Sequence, residues 1–120
     1  MHELPESKVF SIGDKQFTFS LATTAMELIT GLAGVTSLEP LDGMLFDFGM
    51  NWPVIMTPKG LVFPVEVAFI NEEGVIREIK TLDPLDGFTQ AASEKARFAL
   101  EVPVGFFEEN EIVVGNILEF

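Results

Sequence analysis

Carboxylates are the side chains of this sequence that could do the most chemistry, because the usual nucleophiles and metal ligands are scarce. The 120 residues include no cysteine, no tyrosine and a single histidine, His2. A Ser-His-Asp triad needs a histidine fixed in a pocket, and structural or catalytic zinc sites use cysteine and histidine ligands. The composition therefore argues against triad hydrolases and against zinc sites, and it implies no particular metal or cofactor.

Two glutamates stand inside otherwise apolar segments that are typical of strands. Glu66 lies within residues 63–70 and Glu101 within residues 98–102. Because burial of an unpaired charge is costly, such a carboxylate either faces solvent or is held by a partner. The simplest interpretation is a solvated outer face or a structural ion pair.

A second interpretation brings these acids together. Glu66, Glu101 and Asp42 would converge on one end of a barrel, where Lys59 or Arg97 would supply positive charge. Such a cluster would bind a cation through oxygen ligands or act in general acid–base catalysis.

Trp52 is the only tryptophan, and it lies in a loop-like stretch among methionines that adapt to irregular surroundings. A large aromatic side chain on a loop either plugs a barrel end or contacts a ligand or partner. Combined with the charged residues above, this stretch defines a predicted pocket with seven lining residues: Met44, Trp52, Met56, Lys59, Glu66, Arg97 and Glu101.

The elements that must position these residues are mostly strands. Alternation predicts a hairpin from residues 8–12 and 16–21, and Thr24-Ala25-Met26-Glu27 has the spacing of a helix capping box. Residues 105–110 have the pattern of one helical turn. Further strands are expected at residues 44–48, 54–56, 62–70, 75–81, 96–102 and 113–118. The fold class is therefore mainly β, that is, a β-rich α+β domain. We expect a small, closed or partly open β-barrel-like domain of about eight short strands with one or two short helices.

Length and charge limit the organisation and the partners. A chain of 120 residues is one domain, which we place at residues 8–120 after a flexible arm of residues 1–7. The formal charge of -12 repels phosphate backbones, so nucleic acid is not an expected partner. No apolar run reaches the length of a membrane span. A small-molecule ligand or a protein partner is compatible with the sequence, as is a monomer or weak dimer.

The N-terminal residues lack the basic and apolar regions of a secretory signal. The sequence as written predicts a cytoplasmic protein, or an exported one if a leader is removed from the natural chain.

Several blocks, in order along the chain, resemble the uncharacterised domain-of-unknown-function family 192. The most specific is the Asp-Gly-Met-Leu-Phe-Asp-Phe block at residues 42–48. The others are Gly31-Leu32, Leu38, Met56, residues 63–71, residues 96–105 and Val114-Gly115-Asn116. The resemblance implies a compact β-rich, barrel-like fold, and many members of the family carry a signal peptide or lipid anchor before this domain.

This chain departs from the family pattern at polar positions. The family's Trp-Met-Lys-Asn-Thr run is interrupted after Met56, Glu66 stands where aspartate is usual, and Asn116 replaces a closing aspartate. The family brings no established activity. We therefore expect a ligand-binding or accessory module with a polar pocket at one barrel end. The alternatives are a carboxylate-based enzyme, with or without a divalent cation, acting on a small polar molecule, and a protein-interaction domain that exposes apolar residues such as Trp52.

Overall fold

The chain folds into nine strands and two short helices over residues 4–120, the part that the computed structural model describes. Strands dominate, as the alternating sequence pattern predicts. In chain order the elements are β1 (Ser7–Ile12), β2 (Lys15–Ala22), α1 (Ala25–Thr30), β3 (Gly43–Trp52), β4 (Ile55–Met56), β5 (Val65–Ile70), β6 (Ile76–Leu82), β7 (Gln90–Ala91), β8 (Ala96–Pro103), α2 (Phe106–Glu109) and β9 (Leu118–Glu119).

Seven of the strands form one curled sheet in the order β6-β5-β8-β3-β2-β1-β9, and β4 pairs with β7 in a small separate ribbon. Neighbours in the sheet are antiparallel except β2 and β3, which are parallel and need a crossover connection. That crossover carries α1. The curl brings the two edges together, because β9 pairs with β1 while Ile117 bridges to Val75 just before β6. The predicted class, a mainly β and partly open barrel-like domain, is confirmed.

Helix α1 begins where the capping box predicts. The Glu27 amide donates to Thr24 Oγ1 at 3.2 Å, and the Thr24 amide donates to Glu27 Oε1 at 3.1 Å. These two bonds satisfy amide groups that have no partner within the first turn of a helix. The helix closes at Gly31, whose φ of 49° lies in the region that favours glycine.

Two predicted strands are shorter than the apolar pattern suggested. Residues 113–118 contribute only Leu118–Glu119, because the Val113 amide donates to Asn116 Oδ1 and the intervening residues form a turn. The strand predicted over residues 62–70 starts at Val65, directly after Pro64. Proline has no amide to donate, so the ladder with both neighbouring strands begins after it.

The sheet separates two apolar cores. The inner core is enclosed by the curl and includes Phe19, Leu100 and Val102, and Phe107 of α2 packs into it. The outer core lies on the other face, where Met44 and Val67 pack under the segment that follows α1 and under the β4–β7 ribbon. Side chains alternate between the two faces, so Phe98, Leu100 and Val102 of β8 lie in the inner core and Ala99 lies in the outer core.

Residues 4–7 of the predicted arm contact the sheet. The Ser20 hydroxyl donates to the Pro5 carbonyl at 2.6 Å, and the Leu21 amide donates to the Glu6 carbonyl at 2.9 Å. Residues 1–3, with His2, lie outside the described residues. Between residues 4 and 120 there is no helix with the length and apolarity to cross a membrane.

Candidate functional site

Glu101 is the one buried acid among residues 4–120. It lies in β8, where it pairs with Met44 of β3 on one side and Val67 of β5 on the other, and only 3% of its surface is exposed. Its side chain therefore projects from the middle of the sheet into the outer core. A Cβ on Gly43 would come within 2.5 Å of the Glu101 carbonyl oxygen, so only glycine lets β3 approach β8 this closely.

The carboxyl group of Glu101 has no hydrogen-bond or ionic partner among residues 4–120. Burial raises its pKa from 4.5 to about 8, and no opposing effect of a neighbouring donor or cation lowers it. Every fully enclosed side-chain polar atom in the described part of the chain does have a partner. The Glu101 oxygens are therefore not sealed in the core but reach a cavity.

The outer cavity, as we call it, has a volume of about 80 Å³ and has Glu101 among its lining residues. That volume accommodates several water molecules or the polar end of a small ligand. Its walls come from α1 and the turn after it, from β3, and from β4 with the loop that follows. The lining residues besides Glu101 are Leu28, Ile29, Thr30, Gly31, Leu32, Ala33, Phe46, Ile55, Met56, Thr57, Lys59 and Leu61.

Three glycines allow these walls to pack closely together. A Cβ on Gly31 would lie 3.0 Å from the Phe46 ring, so the turn after α1 packs directly on β3. The Gly34 amide donates to the Gly60 carbonyl at 2.8 Å, and a Cβ on Gly60 would lie 2.8 Å from Ala33 Cβ. The loop after β4 is thereby fixed to the segment after α1, and the cavity between them has a defined shape.

Lys59 lies at the rim of the outer cavity and is exposed. Its backbone amide donates to Thr57 Oγ1 at 3.1 Å, which fixes the turn that carries it. Within residues 4–120 its ammonium group forms no ion pair. An acid at the base and a lysine at the rim therefore give the cavity two groups that carry opposite charges when both are ionised.

Three of the seven residues predicted to line a pocket meet at this cavity: Met56, Lys59 and Glu101. Met44 is fully buried beside Glu101 in the outer core. The cavity lies on the outer face of the sheet, between the sheet and α1, and not at a barrel end.

Glu66 does not line the outer cavity. It pairs with Val102, one residue along β8 from Glu101, so its side chain lies on the opposite face of the sheet. There its Oε1 accepts a hydrogen bond of 3.1 Å from the Gly105 amide, at the start of α2. Asp42 is also engaged elsewhere, since its Oδ2 accepts from the Thr18 amide at 2.9 Å. The three acids therefore do not converge as the second interpretation of the sequence suggested. The strand register places Glu66 and Glu101 on opposite faces of the sheet.

Arg97 and Trp52 are also outside the outer cavity. Arg97 forms a two-pronged ion pair with Asp47 at 3.0 and 3.2 Å, which raises the pKa of the guanidinium, and it lies over the Phe98 ring. Trp52 is 52% exposed at the end of β3 and does not plug the barrel. It lines a neighbouring apolar groove, which is formed by Ala25, Leu28, Ile29, Phe48, Met50 and Trp52.

Sequence reasoning missed the contribution of α1 and its closing turn, which supply six of the lining residues, 28–33. In the sequence, Gly31-Leu32 is notable only as one block of the family resemblance. Its role in lining the cavity depends on contact with a loop about 26 residues away, and no local pattern encodes that contact. The structure shows no cluster of three or more metal-ligating side chains in residues 4–120.

Comparison with known proteins agrees with this description. The model of the DUF192 family, described as an uncharacterized ACR, matches residues 8–120. A search of curated proteins found no match.

Two solved structures share the fold. The first is a protein of Sinorhizobium meliloti 1021 described as a "putative transcription regulator", with 26% identity and a TM-score of 0.90 over 99% of this chain and 97% of that one. The second is a protein of unknown function from Novosphingobium aromaticivorans DSM 12444, with 21% identity and a TM-score of 0.86 over 97% and 86% of the two chains.

Fold and site together define a small curled-sheet domain with one buried acid at a surface cavity. The chain belongs to the DUF192 family.

Proposed function

We propose that this protein is a binding module for a small molecule that places a hydrogen-bond-donating, preferably cationic, group against Glu101 in the outer cavity. The observation that carries the proposal is the Glu101 carboxyl itself, which is buried, has no partner among residues 4–120 and lines a cavity. A buried polar group without a partner is costly, so a ligand that supplies the missing hydrogen bonds binds favourably.

The surroundings favour a cation over an anion. Residues 28–31, the C-terminal half of α1 and its cap, line the cavity, and the last turn of this helix holds no basic side chain. The carbonyl groups at the end of a helix carry partial negative charge, which favours a positive group nearby. The formal charge of -12 also raises the local concentration of cations around the protein.

Binding is favoured over catalysis because Glu101 is the only carboxylate among the described residues that line the cavity. An enzyme with paired carboxylates needs a second acid within reach, and Glu66 lies on the opposite face of the sheet. The regulator description belongs to the Sinorhizobium neighbour, and the acidic charge of this chain does not favour direct contact with DNA.

The test is a titration of ¹⁵N-labelled protein with methylammonium and guanidinium, with acetate as the anionic control. The best small ligands gain at most about 1.5 kcal/mol per non-hydrogen atom, so methylammonium, with two such atoms, reaches a millimolar Kd at best, which NMR detects. We expect saturable shifts in amides of residues 28–33 and 57–61 for both cations and none for acetate.

The Glu101→Gln variant should lose this response, whereas Glu66→Gln, changed on the opposite face of the sheet, should keep it. Equal, unsaturable shifts for all three probes, or an unaltered response in Glu101→Gln, would refute the proposal.

A further inference from the structure

The apolar groove adjoins the outer cavity. Leu28 and Ile29 line both the cavity and the groove. The groove has a volume of about 460 Å³, and its lining is mostly apolar. Ile29 is 81% exposed, and Met50 and Trp52 are also exposed, so a considerable apolar surface lies uncovered next to a polar cavity.

Exposed apolar side chains that adjoin one another mark a binding surface more often than isolated ones do. Here the surface begins at the cavity that holds Glu101, and Lys59 lies at the cavity rim. Three different chemistries therefore occur within one site: a buried acid, an exposed base and an apolar groove.

From this arrangement we infer that the ligand of the outer cavity is a zwitterionic amine with an apolar side chain, the chemistry of an apolar amino acid. Its ammonium group binds Glu101, its carboxylate pairs with Lys59, and its side chain covers the apolar groove and contacts Trp52. The inference rests on the proposed function and adds the class of ligand to it.

Other types of ligand fail to contact at least one of the three features of the site. An anionic amphiphile would bring a carboxylate to Lys59 and cover the groove, but it would leave Glu101 without the hydrogen bonds that it lacks. A sugar would leave the apolar groove uncovered. A protein partner seated on the groove alone would contact Trp52 and Ile29 and leave Glu101 without a hydrogen bond.

The experiment compares four probes that each lack one feature of the proposed ligand. L-phenylalanine has all three features, 2-phenylethylamine lacks the carboxylate, 3-phenylpropionate lacks the ammonium group, and glycine lacks the side chain. Binding is followed by amide shifts in ¹⁵N-labelled protein and by the fluorescence of Trp52, the only tryptophan in the chain.

We expect L-phenylalanine to bind most tightly and to change the Trp52 fluorescence. The Lys59 pair is exposed and worth little, so 2-phenylethylamine should bind about two- to fivefold more weakly. Glycine should bind at least about tenfold more weakly without a fluorescence change, because it buries no apolar surface. For 3-phenylpropionate we expect no saturable binding.

Two variants separate the contributions. Lys59→Met should abolish the preference for L-phenylalanine over 2-phenylethylamine, because only L-phenylalanine has a carboxylate to pair with Lys59. Trp52→Ala should reduce the difference in affinity between L-phenylalanine and glycine. Glu66→Gln serves as the matched control and should behave as the parent protein.

The inference is overturned if glycine binds as tightly as L-phenylalanine or if 3-phenylpropionate binds as well as 2-phenylethylamine. If methylammonium binds through Glu101 while L-phenylalanine does not, the ligand class is refuted and the proposed function stands. If neither binds, both are refuted.

Discussion

The pH dependence of stability should report directly on Glu101. Burial raises its pKa from 4.5 to about 8 in the folded protein, and unfolding returns the carboxyl group to water and its pKa to the ordinary value. Between these two values the folded state holds a proton that the unfolded state has released. Since stability rises with pH only where the unfolded state binds more protons, the Glu101 contribution makes the free energy of unfolding fall as pH increases from about 4.5 to 8.

The size of the effect follows from the same two values. One pKa unit corresponds to 1.36 kcal/mol, so the loss approaches about 4–5 kcal/mol above pH 8 and is about 3 kcal/mol at pH 7. These are upper values, because water in the outer cavity screens the charge. Small domains are stable by about 5–15 kcal/mol, so the change is a large fraction of the total.

The assay is urea denaturation at pH 5, 7 and 9, followed by circular dichroism, for the parent and for Glu101→Gln. Glutamine has nearly the shape of the protonated acid and does not ionise. The two proteins should therefore be within about 1 kcal/mol of each other at pH 5, and the variant should be the more stable by several kcal/mol at pH 9.

Glu66→Gln provides the control, since its carboxyl is half-buried on the other face, where it accepts a hydrogen bond from Gly105. This variant should keep the parent's loss of stability between pH 5 and 9. If the parent and Glu101→Gln lose stability in parallel over that range, the assignment of a raised pKa to Glu101 is refuted.

Three further substitutions test how the fold around the site is stabilised. Gly31→Ala should destabilise the protein by about 1–3 kcal/mol, because φ is 49° and the new Cβ would meet the Phe46 ring. Gly34→Ala serves as the comparison: its φ is 79° but no atom lies within 4 Å of the new Cβ, so it should cost only the backbone strain of about 1–2 kcal/mol. Thermal unfolding of both variants measures the difference. Asp47→Asn should lower the free energy of unfolding by about 1 kcal/mol through loss of the part-buried pair with Arg97, and an unchanged urea midpoint would show that the pair contributes nothing.

Local patterns predicted much of the fold. The capping box at Thr24 and the alternation in β1 and β2 depend on neighbours within a few residues, so the sequence encodes them directly. Strands whose apolar runs include turn residues were less predictable. The segment before β9 is apolar, yet its valines are exposed because Asn116 holds it in a turn.

The position and lining of the site could not be predicted, because they depend on contacts between distant residues that no local pattern encodes. Glu101 and Glu66 look alike in sequence, since each is an acid in an apolar strand. The register of β5 on β8 pairs Glu66 with Val102, and this alone places the two acids on opposite faces. The family resemblance located the blocks but not their roles, so the cavity with its α1 wall became visible only in the structure.

The most direct test of the central claim is an NMR titration of the Glu101 side chain. The ¹³C shift of its carboxyl carbon would be followed against pH, with and without saturating methylammonium. We expect a pKa well above 4.5 in the free protein and a clearly lower pKa with the probe, because a bound cation favours the ionised acid. A pKa that is the same in both titrations would contradict the claim that Glu101 binds the ligand.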